Sequence, residues 1–399
     1  MSDTSTQDPR SAAGDAGLER PPLVECHACA RQVPVGDYCG VCGAHLPNAS
    51  AAGVRRRHAF AANPAQHVLN PAVISTLLPH LPHRRSSPFR VGLLITVAGL
   101  ALLGLLQLVG PAIALAAFAV PALYLVYLYE VEVYEDEPWL VVGLTLVGGG
   151  VLGGLYAWLI GAEITREQVL TAFFGPTPQR VLLLGAVPPM VSQVLMLIFP
   201  MALYALRRKR FDEALDGFTF GVTAGLGFTL GLTLVDLWPE LSIGPVSHVA
   251  PVDNALDILV RGVLLPIVNA STTGLICAAV WLLNGRRRRE VRHFLASLPA
   301  AAVVALVAQG ILGAGALLLV QPWELLVLYL VVAVILLLVV RIALHSMLLA
   351  EAVEVRIGAP FPCSHCHHLV PRMAFCPNCG VATRATSKAG GGRHDREVR

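Results

Sequence analysis

Charge is scarce in this chain. Only 14% of its 399 residues are Asp, Glu, Lys or Arg, against about 25% in an ordinary soluble protein. With 55% hydrophobic residues and a mean hydropathy of +0.65, that shortage excludes a soluble globular enzyme and a disordered chain. Net charge is small as well, +3, so the chain as a whole is no polycation built for nucleic acid. Residues 1–20, MSDTSTQDPRSAAGDAGLER, lack the basic start and apolar stretch of a secretory signal. They read as a disordered tail, as does the Gly-rich, charged stretch 384–399. Common catalytic signatures are missing too. There is no GxSxG, no HExxH and no phosphate-cradling glycine loop followed by lysine.

What the chain has in abundance is long apolar runs. A helix needs about 20 mostly apolar residues to cross the hydrocarbon core. Eight runs qualify: Arg90–Val109, Pro111–Tyr129, Trp139–Ile160, Arg180–Leu206, Gly217–Leu237, Ala255–Asn284, Phe294–Val320 and Trp323–Ala350. Gly110-Pro111 reads as a tight turn between the first two. The expected fold is therefore an all-α polytopic membrane protein, with a membrane domain over 90–350.

The few charges that exist are placed unevenly. Arg84, Arg85 and Arg90 precede the first run, and Arg207, Arg208, Lys209 and Arg210 follow the fourth. Arg286–Arg289 and Arg292 follow the sixth, and Arg356 follows the eighth. The opposite loops hold only Arg166 and Arg180. Positive loops face the cytoplasm, so this alternation predicts a multi-pass cell-membrane protein with both termini cytoplasmic. Anionic lipid headgroups are a secondary use for the same basic runs. In the linker 49–89, HVLNPAVISTLLPHLPHRR starts a helix at Asn70-Pro71. Val73, Ile74, Leu77, Leu78 and Leu81 fall on one side of it. The pattern fits a helix lying on the membrane surface as well as one packed on the membrane body.

Eight of the nine cysteines form two clusters with one spacing. The first reads Cys26-x2-Cys29-x9-Cys39-x2-Cys42 and the second Cys363-x2-Cys366-x9-Cys376-x2-Cys379. A Cys-x2-Cys turn points two thiolates at one point, and two such turns complete a tetrahedral zinc site. Gly43 and Gly380 follow the last cysteine of each cluster, where they let backbone amides face the sulfurs. Two small zinc ribbons are expected, at 21–48 and 358–383, each holding one structural zinc ion. Disulfide pairing is the rival, and a reducing cytoplasm disfavours it. His27, His45, His365, His367 and His368 lie nearby, but four cysteines suffice. Segments this short bury little core, so metal supplies most of their folding energy. Such ribbons present small rigid surfaces, most often to other proteins; neither is basic or aromatic enough to favour nucleic acid. Cys277, in the sixth run, reads as a buried apolar residue.

Polar residues inside the membrane are the usual pointers to function. Glycines recur at Gly217, Gly221 and Gly225, and again at Gly227 and Gly231, a helix-packing signal. Asp257 and Arg261 stand at i, i+4 and can pair. The centres of the fourth and sixth runs hold Ser192, Gln193, Asn269, Ser271, Thr272 and Thr273, which hydrogen-bond but do not titrate.

The stretch RRKRFDEALDGFTFGVTAGLGF, residues 207–228, resembles the PrsW family of bacterial intramembrane proteases. Pro188-Pro189, Arg261 and the segment Asn269-Ala-Ser-Thr-Thr-Gly274 also look like family positions. The resemblance covers roughly 90–350 and implies a membrane body of about eight helices, related to CAAX-protease-like folds. The catalytic positions it implies do not carry over. The family's paired glutamates and lysine fall at Ser192, Gln193 and Met196, its later glutamate at Leu232, and its histidine near Asn269. None of these residues supplies a base that titrates near neutral pH.

The leading expectation is a non-catalytic PrsW-like protein, a pseudoprotease acting as scaffold, sensor or adaptor. Its partners would be the lipid bilayer and other proteins, bound by the ribbons and the membrane body. No catalytic residue and no cofactor other than zinc is assigned. An active protease with a rearranged site remains an alternative, using Glu130, Glu132, Asp236 or Asp257. A transporter of a small solute or lipid is the other, with Gly148-Gly149-Gly150 and Pro188-Pro189 as candidate helix breaks.

Overall fold

The structure is a computed structural model. It describes residues 22–46, 88–130, 139–207, 214–243, 251–283, 297–352 and 357–383, apart from Ala28, Pro176, Val320, 358–359, 364–365 and Ala382. Both tails, most of the linker with its surface-helix pattern, and Glu132 lie outside the described residues.

Eight membrane-length helical segments run between the two ribbons. The elements are α1 (Pro88–Leu105), α2 (Val109–Glu130), α3 (Trp139–Phe174), α4 (Pro178–Arg207) and α5 (Ala214–Ile243). They continue with α6 (Pro251–Leu259), α7 (Leu265–Leu282), α8 (Leu298–Leu318) and α9 (Pro322–Ala352). A π-helical turn, Val260–Leu264, joins α6 to α7, so together they make the sixth crossing. That crossing is the most enclosed, with 83% of its apolar window buried, and α1 is the least, at 6%. The chain is thus an all-helical membrane body with a centre and a rim.

The α1–α2 turn differs from the expected one. Helix α1 ends at Leu105, Gln107 takes a left-handed φ of 56°, and α2 is already helical at Val109. Gly110 and Pro111 fall in the first turn of α2, where proline's missing N–H has no intrahelical partner to lose. The glycine triplet and the proline pair do not break helices either: α3 and α4 run through them. Helix α8 starts at Leu298 rather than Phe294, capped by the Ser297 hydroxyl, which accepts from the Ala300 N–H at 3.4 Å.

Glycine decides how the centre packs. Helix α5 presents Gly217, Gly221 and Gly225 to α7 and Gly227 and Gly231 to α3. A Cβ on Gly221 would lie 2.7 Å from the Thr273 carbonyl oxygen, and one on Gly225 2.7 Å from that of Asn269. On the other side, a Cβ on Gly231 would collide with the Gly150 carbonyl, and one on Gly153 with that of Phe228. Lipid tails are as apolar as leucine, so helices in a bilayer gain contact mainly by close backbone approach. The triplet glycines serve the same end, since Gly148 lies under Phe199 and Gly149 against the Ala224 carbonyl.

Each ribbon carries one antiparallel hairpin. In the first, β1 (Leu23–Glu25) pairs with β2 (Gln32–Pro34); in the second, β3 (Pro360–Pro362) pairs with β4 (Leu369–Pro371). The two ribbons dock on each other. The Tyr38 N–H donates to the Pro377 carbonyl and the Phe375 N–H to the Gly40 carbonyl, both at 2.9 Å. The two ribbons therefore meet at one place, as an even number of crossings allows.

Candidate functional site

Two places concentrate chemistry-bearing side chains: the cysteine groups of the ribbons and a polar cluster at the centre of the helices.

In each ribbon the hairpin turn carries the first two cysteines and a second turn carries the others. The left-handed residue of each hairpin turn is Ala30 in one and His367 in the other, with φ of 55° and 59°. The second turns close through N–H bonds from Gly43 to the Cys39 carbonyl and from Gly380 to the Cys376 carbonyl, both 2.8 Å. Glycine is needed there, since φ is +72° at Gly43 and +71° at Gly380. The Cys42 N–H then faces the Cys39 sulfur at 3.4 Å, the amide-to-sulfur contact expected around a bound metal.

All eight cysteines are free thiols. In each group the four sulfurs lie within 4.8 Å of one another. Cys26 and Cys42 lie 3.7 Å apart, and Cys29–Cys39, Cys363–Cys379 and Cys366–Cys376 3.8 Å. A tetrahedral ion with metal–sulfur bonds of about 2.3 Å places its ligands about 3.8 Å apart, whereas a disulfide needs about 2.05 Å. The donor set therefore fits a thiolate-bound metal ion. Charge points the same way. Hydrogen bonds from Cys39 and then Cys42 pull the Cys29 thiol down to about 2. Bonding to Cys29 pushes Cys39 up to about 12 and Cys42 higher still. In the second ribbon, bonding to Cys363 pushes Cys376 up to about 11 and Cys379 higher. Without a cation most of these thiols keep their protons, and four thiolates in one group would need one to balance them. Among the described histidines, His45 stacks edge-on against Tyr38, with ring centroids 5.0 Å apart, and His368 Nδ1 lies 2.9 Å from the Cys366 carbonyl. His365 lies outside the described residues.

The second place joins four helices. Gln309 on α8 donates from Nε2 to Asn269 Oδ1 on α7 at 2.9 Å and to Gln193 Oε1 on α4 at 3.3 Å. Asn269 Nδ2 donates to Thr229 Oγ1 on α5 at 2.8 Å, and that hydroxyl donates to the Gly225 carbonyl. Gln193 Nε2 donates to Thr273 Oγ1 at 3.2 Å, whose hydroxyl meets Met196 Sδ at 3.3 Å. Gln193, Thr229, Asn269, Thr273 and Gln309 are all buried. Every group in this cluster is a neutral amide, hydroxyl or thioether, and the amides bond one another.

The chain matches the family described as PrsW family intramembrane metalloprotease over residues 137–340, just over half its length. It belongs to the PrsW family. No curated protein and no solved structure matches it. Of the PrsW positions expected to carry catalysis, the fold brings Gln193, Met196 and Asn269 together in the buried cluster. Ser192 instead turns its hydroxyl back to the Pro189 carbonyl at 2.8 Å. Leu232 packs beside Tyr156, Met196 and Phe228. A metalloprotease needs donors that bind a metal and a group that accepts a proton. The cluster offers neither carboxylate nor imidazole, so the residues present do not fit a catalytic metal. The rearranged-site candidates lie elsewhere: Asp257 pairs with Arg261 at 2.9 Å with both side chains partly exposed, Asp236 is exposed, and Glu130 ends α2.

Sequence reading missed Gln309 and Thr229. Gln309 had a signal, since it is the lone polar side chain of α8 and an isolated polar residue in a span usually has a partner. A prediction follows. Gln309→Leu leaves the Asn269 and Gln193 oxygens without their donor and should destabilise the folded body by roughly 0.6–2 kcal/mol. Gln309→Glu should cost more, about 2.5–3.5 kcal/mol, because no cation in the cluster offsets a carboxylate. Thermal melts in detergent check the order. A Glu variant more stable than Leu, with bound metal at the cluster, would contradict it.

Proposed function

We propose that this chain is a non-catalytic member of the PrsW family, a membrane scaffold, sensor or adaptor whose cytoplasmic ribbons each hold one zinc ion. The observation that carries this reading is the neutral cluster of Gln193, Thr229, Asn269, Thr273 and Gln309. Peptide hydrolysis needs a proton acceptor near neutral pH, and amides and hydroxyls supply none. A fold can outlive its chemistry; here hydrogen bonds between α4, α5, α7 and α8 take the place of the reacting groups and tie the helices together. The close backbone packing of α3, α5 and α7 also supports a body that binds rather than transports. Zinc is the metal because closed four-thiolate sites are its usual structural ligand set. The basic loops support the cytoplasmic placement of both ends and of the ribbons, which then meet proteins on that side of the cell membrane.

The test is proteolysis in liposomes. Purified protein should cleave none of a panel of single-span substrates faster than liposomes alone. Glu130→Gln, Glu132→Gln, Asp236→Asn and Asp257→Asn should change nothing. Specific cleavage lost with one of these variants by about 10²-fold or more, the usual contribution of an acid or base, would show an active site away from the cluster and sink the reading.

A further inference from the structure

The ribbon pair has a near-twofold relation that goes beyond contact. Tyr38 precedes Cys39 as Phe375 precedes Cys376, Gly43 follows Cys42 as Gly380 follows Cys379, and Gly40 follows Cys39 as Pro377 follows Cys376. Among the described residues, two kinds of contact between the ribbons occur twice with these roles exchanged. The Tyr38 N–H donates to the Pro377 carbonyl, and the Phe375 N–H to the Gly40 carbonyl. The Tyr38 ring covers Gly380, whose Cβ would lie 2.6 Å from it, and the Phe375 ring covers Gly43, at 3.0 Å. Gly36 lies against Pro377 as Gly40 lies against Met373, their counterparts. Met373 is buried within the hydrophobic cluster of the first ribbon, although it belongs to the second.

These contacts fall where the metal acts. The accepting carbonyls of Gly40 and Pro377 are inside the Cys39–Cys42 and Cys376–Cys379 turns. The covered glycines close those turns, and the donors Tyr38 and Phe375 are next to the ligands Cys39 and Cys376. A turn that loses its ion loses the shape that presents its carbonyl and its glycine. Its partner then loses a hydrogen bond and the cover over its own turn.

We propose that the two ribbons form one binuclear module within a single chain, in which each metal ion holds the other in place, so that the two ions bind with positive cooperativity. The proposal rests on the metal assignment made above. The free energy of such coupling is reciprocal: emptying either site weakens the other by the same factor. Couplings between two sites are ordinarily about 5–150-fold, and the lower bound is the expected minimum here.

The experiment uses the full-length protein in detergent and follows metal transfer to a chromogenic chelator, with total metal per chain measured by elemental analysis. Wild type should carry two zinc ions. In Cys376→Ser/Cys379→Ser, the single ion left on the first ribbon should transfer at least about fivefold faster than in wild type. Tyr38→Ala and Phe375→Ala, which replace no ligand, should speed release of both ions in the otherwise intact protein. Tyr38→Ala should add nothing in the Cys376→Ser/Cys379→Ser background, because the contact it removes is already gone. Rates should not change on tenfold dilution. Size-exclusion profiles identical to wild type show that the membrane body of each variant is folded. Two ions released independently, with the first ribbon unaffected by loss of the second, would overturn the coupling but leave the metal assignment standing. Wild type without metal would overturn both. Coupling that weakens on dilution would place the pairing between two chains and overturn the single-chain module.

Discussion

Complete removal of metal from the intact protein should unfold both ribbons while the membrane helices stay folded. The buried part of each ribbon is small. The hydrophobic cluster of the first is Cys26, Val33, Cys39, Cys42 and Ala44 with Met373 from its neighbour, and that of the second is Cys363, Val370, Cys376 and Val381. Half of those side chains are the ligands themselves. So little apolar area cannot by itself offset the conformational entropy of ordering such a segment. Metal binding supplies the difference, about 10–16 kcal/mol for a structural zinc site near neutral pH. Amide hydrogen exchange with and without a strong chelator is the measurement. Protection should vanish across 22–46 and 357–383 and persist across α5 and α7. Acid should act as the chelator does. Thiols such as Cys39, pushed up to about 12 without metal, are protonated when empty, so loading releases protons and falling pH favours release. Ribbon protection that survives metal removal would show that apolar packing alone holds these segments.

Gly231→Leu should prevent the membrane body from assembling. A side chain there would run into the Gly150 carbonyl and come within 2.9 Å of the Gly154 nitrogen, and both are backbone atoms of a helix that cannot swing aside. Overpacking a close-packed interior ordinarily costs about 1–3 kcal/mol. Here the obstacle is main chain on two facing helices, so the expected loss exceeds about 3 kcal/mol, enough to empty the folded state of a marginally stable protein. Gly153→Leu, facing the Phe228 carbonyl, should behave alike. A Cβ at Gly104 or Gly143 would meet nothing within 4 Å, so Gly104→Leu and Gly143→Leu should stay within about 0.5 kcal/mol of wild type. Fluorescence-detected size exclusion of the four variants, followed by melts of those that elute normally, separates the two classes. A monodisperse, wild-type-like Gly231→Leu protein would mean that α3 and α5 are not in backbone contact.

The membrane count and the two four-cysteine groups were readable in the chain before any folding. Eight apolar runs interrupted by basic loops specify eight crossings, because the thickness of the hydrocarbon core sets helix length whatever the neighbours are. Two identical cysteine spacings specify two thiolate sites, because a tetrahedral ion accepts only turns of that reach. The neutrality of three cluster residues was equally readable: Gln193, Met196 and Asn269 carry no ionisable group wherever they lie. Which helix faces which was not readable. Within a span almost every residue is apolar on all sides, so periodicity marks no inner face, and lipid and protein compete on equal terms for the same surface. Only the tertiary structure brought Gln309 of α8 to Asn269 and Gln193, set Thr229 rather than Leu232 in the polar cluster, and moved the first turn from Gly110-Pro111 to Gln107. It also set the two ribbons face to face, although nearly the whole chain runs between them. Sequence spacing specifies a candidate metal site because its ligands are local; it is silent on the ribbon pairing because Tyr38 and Gly380 are distant in the chain and meet only in the tertiary structure.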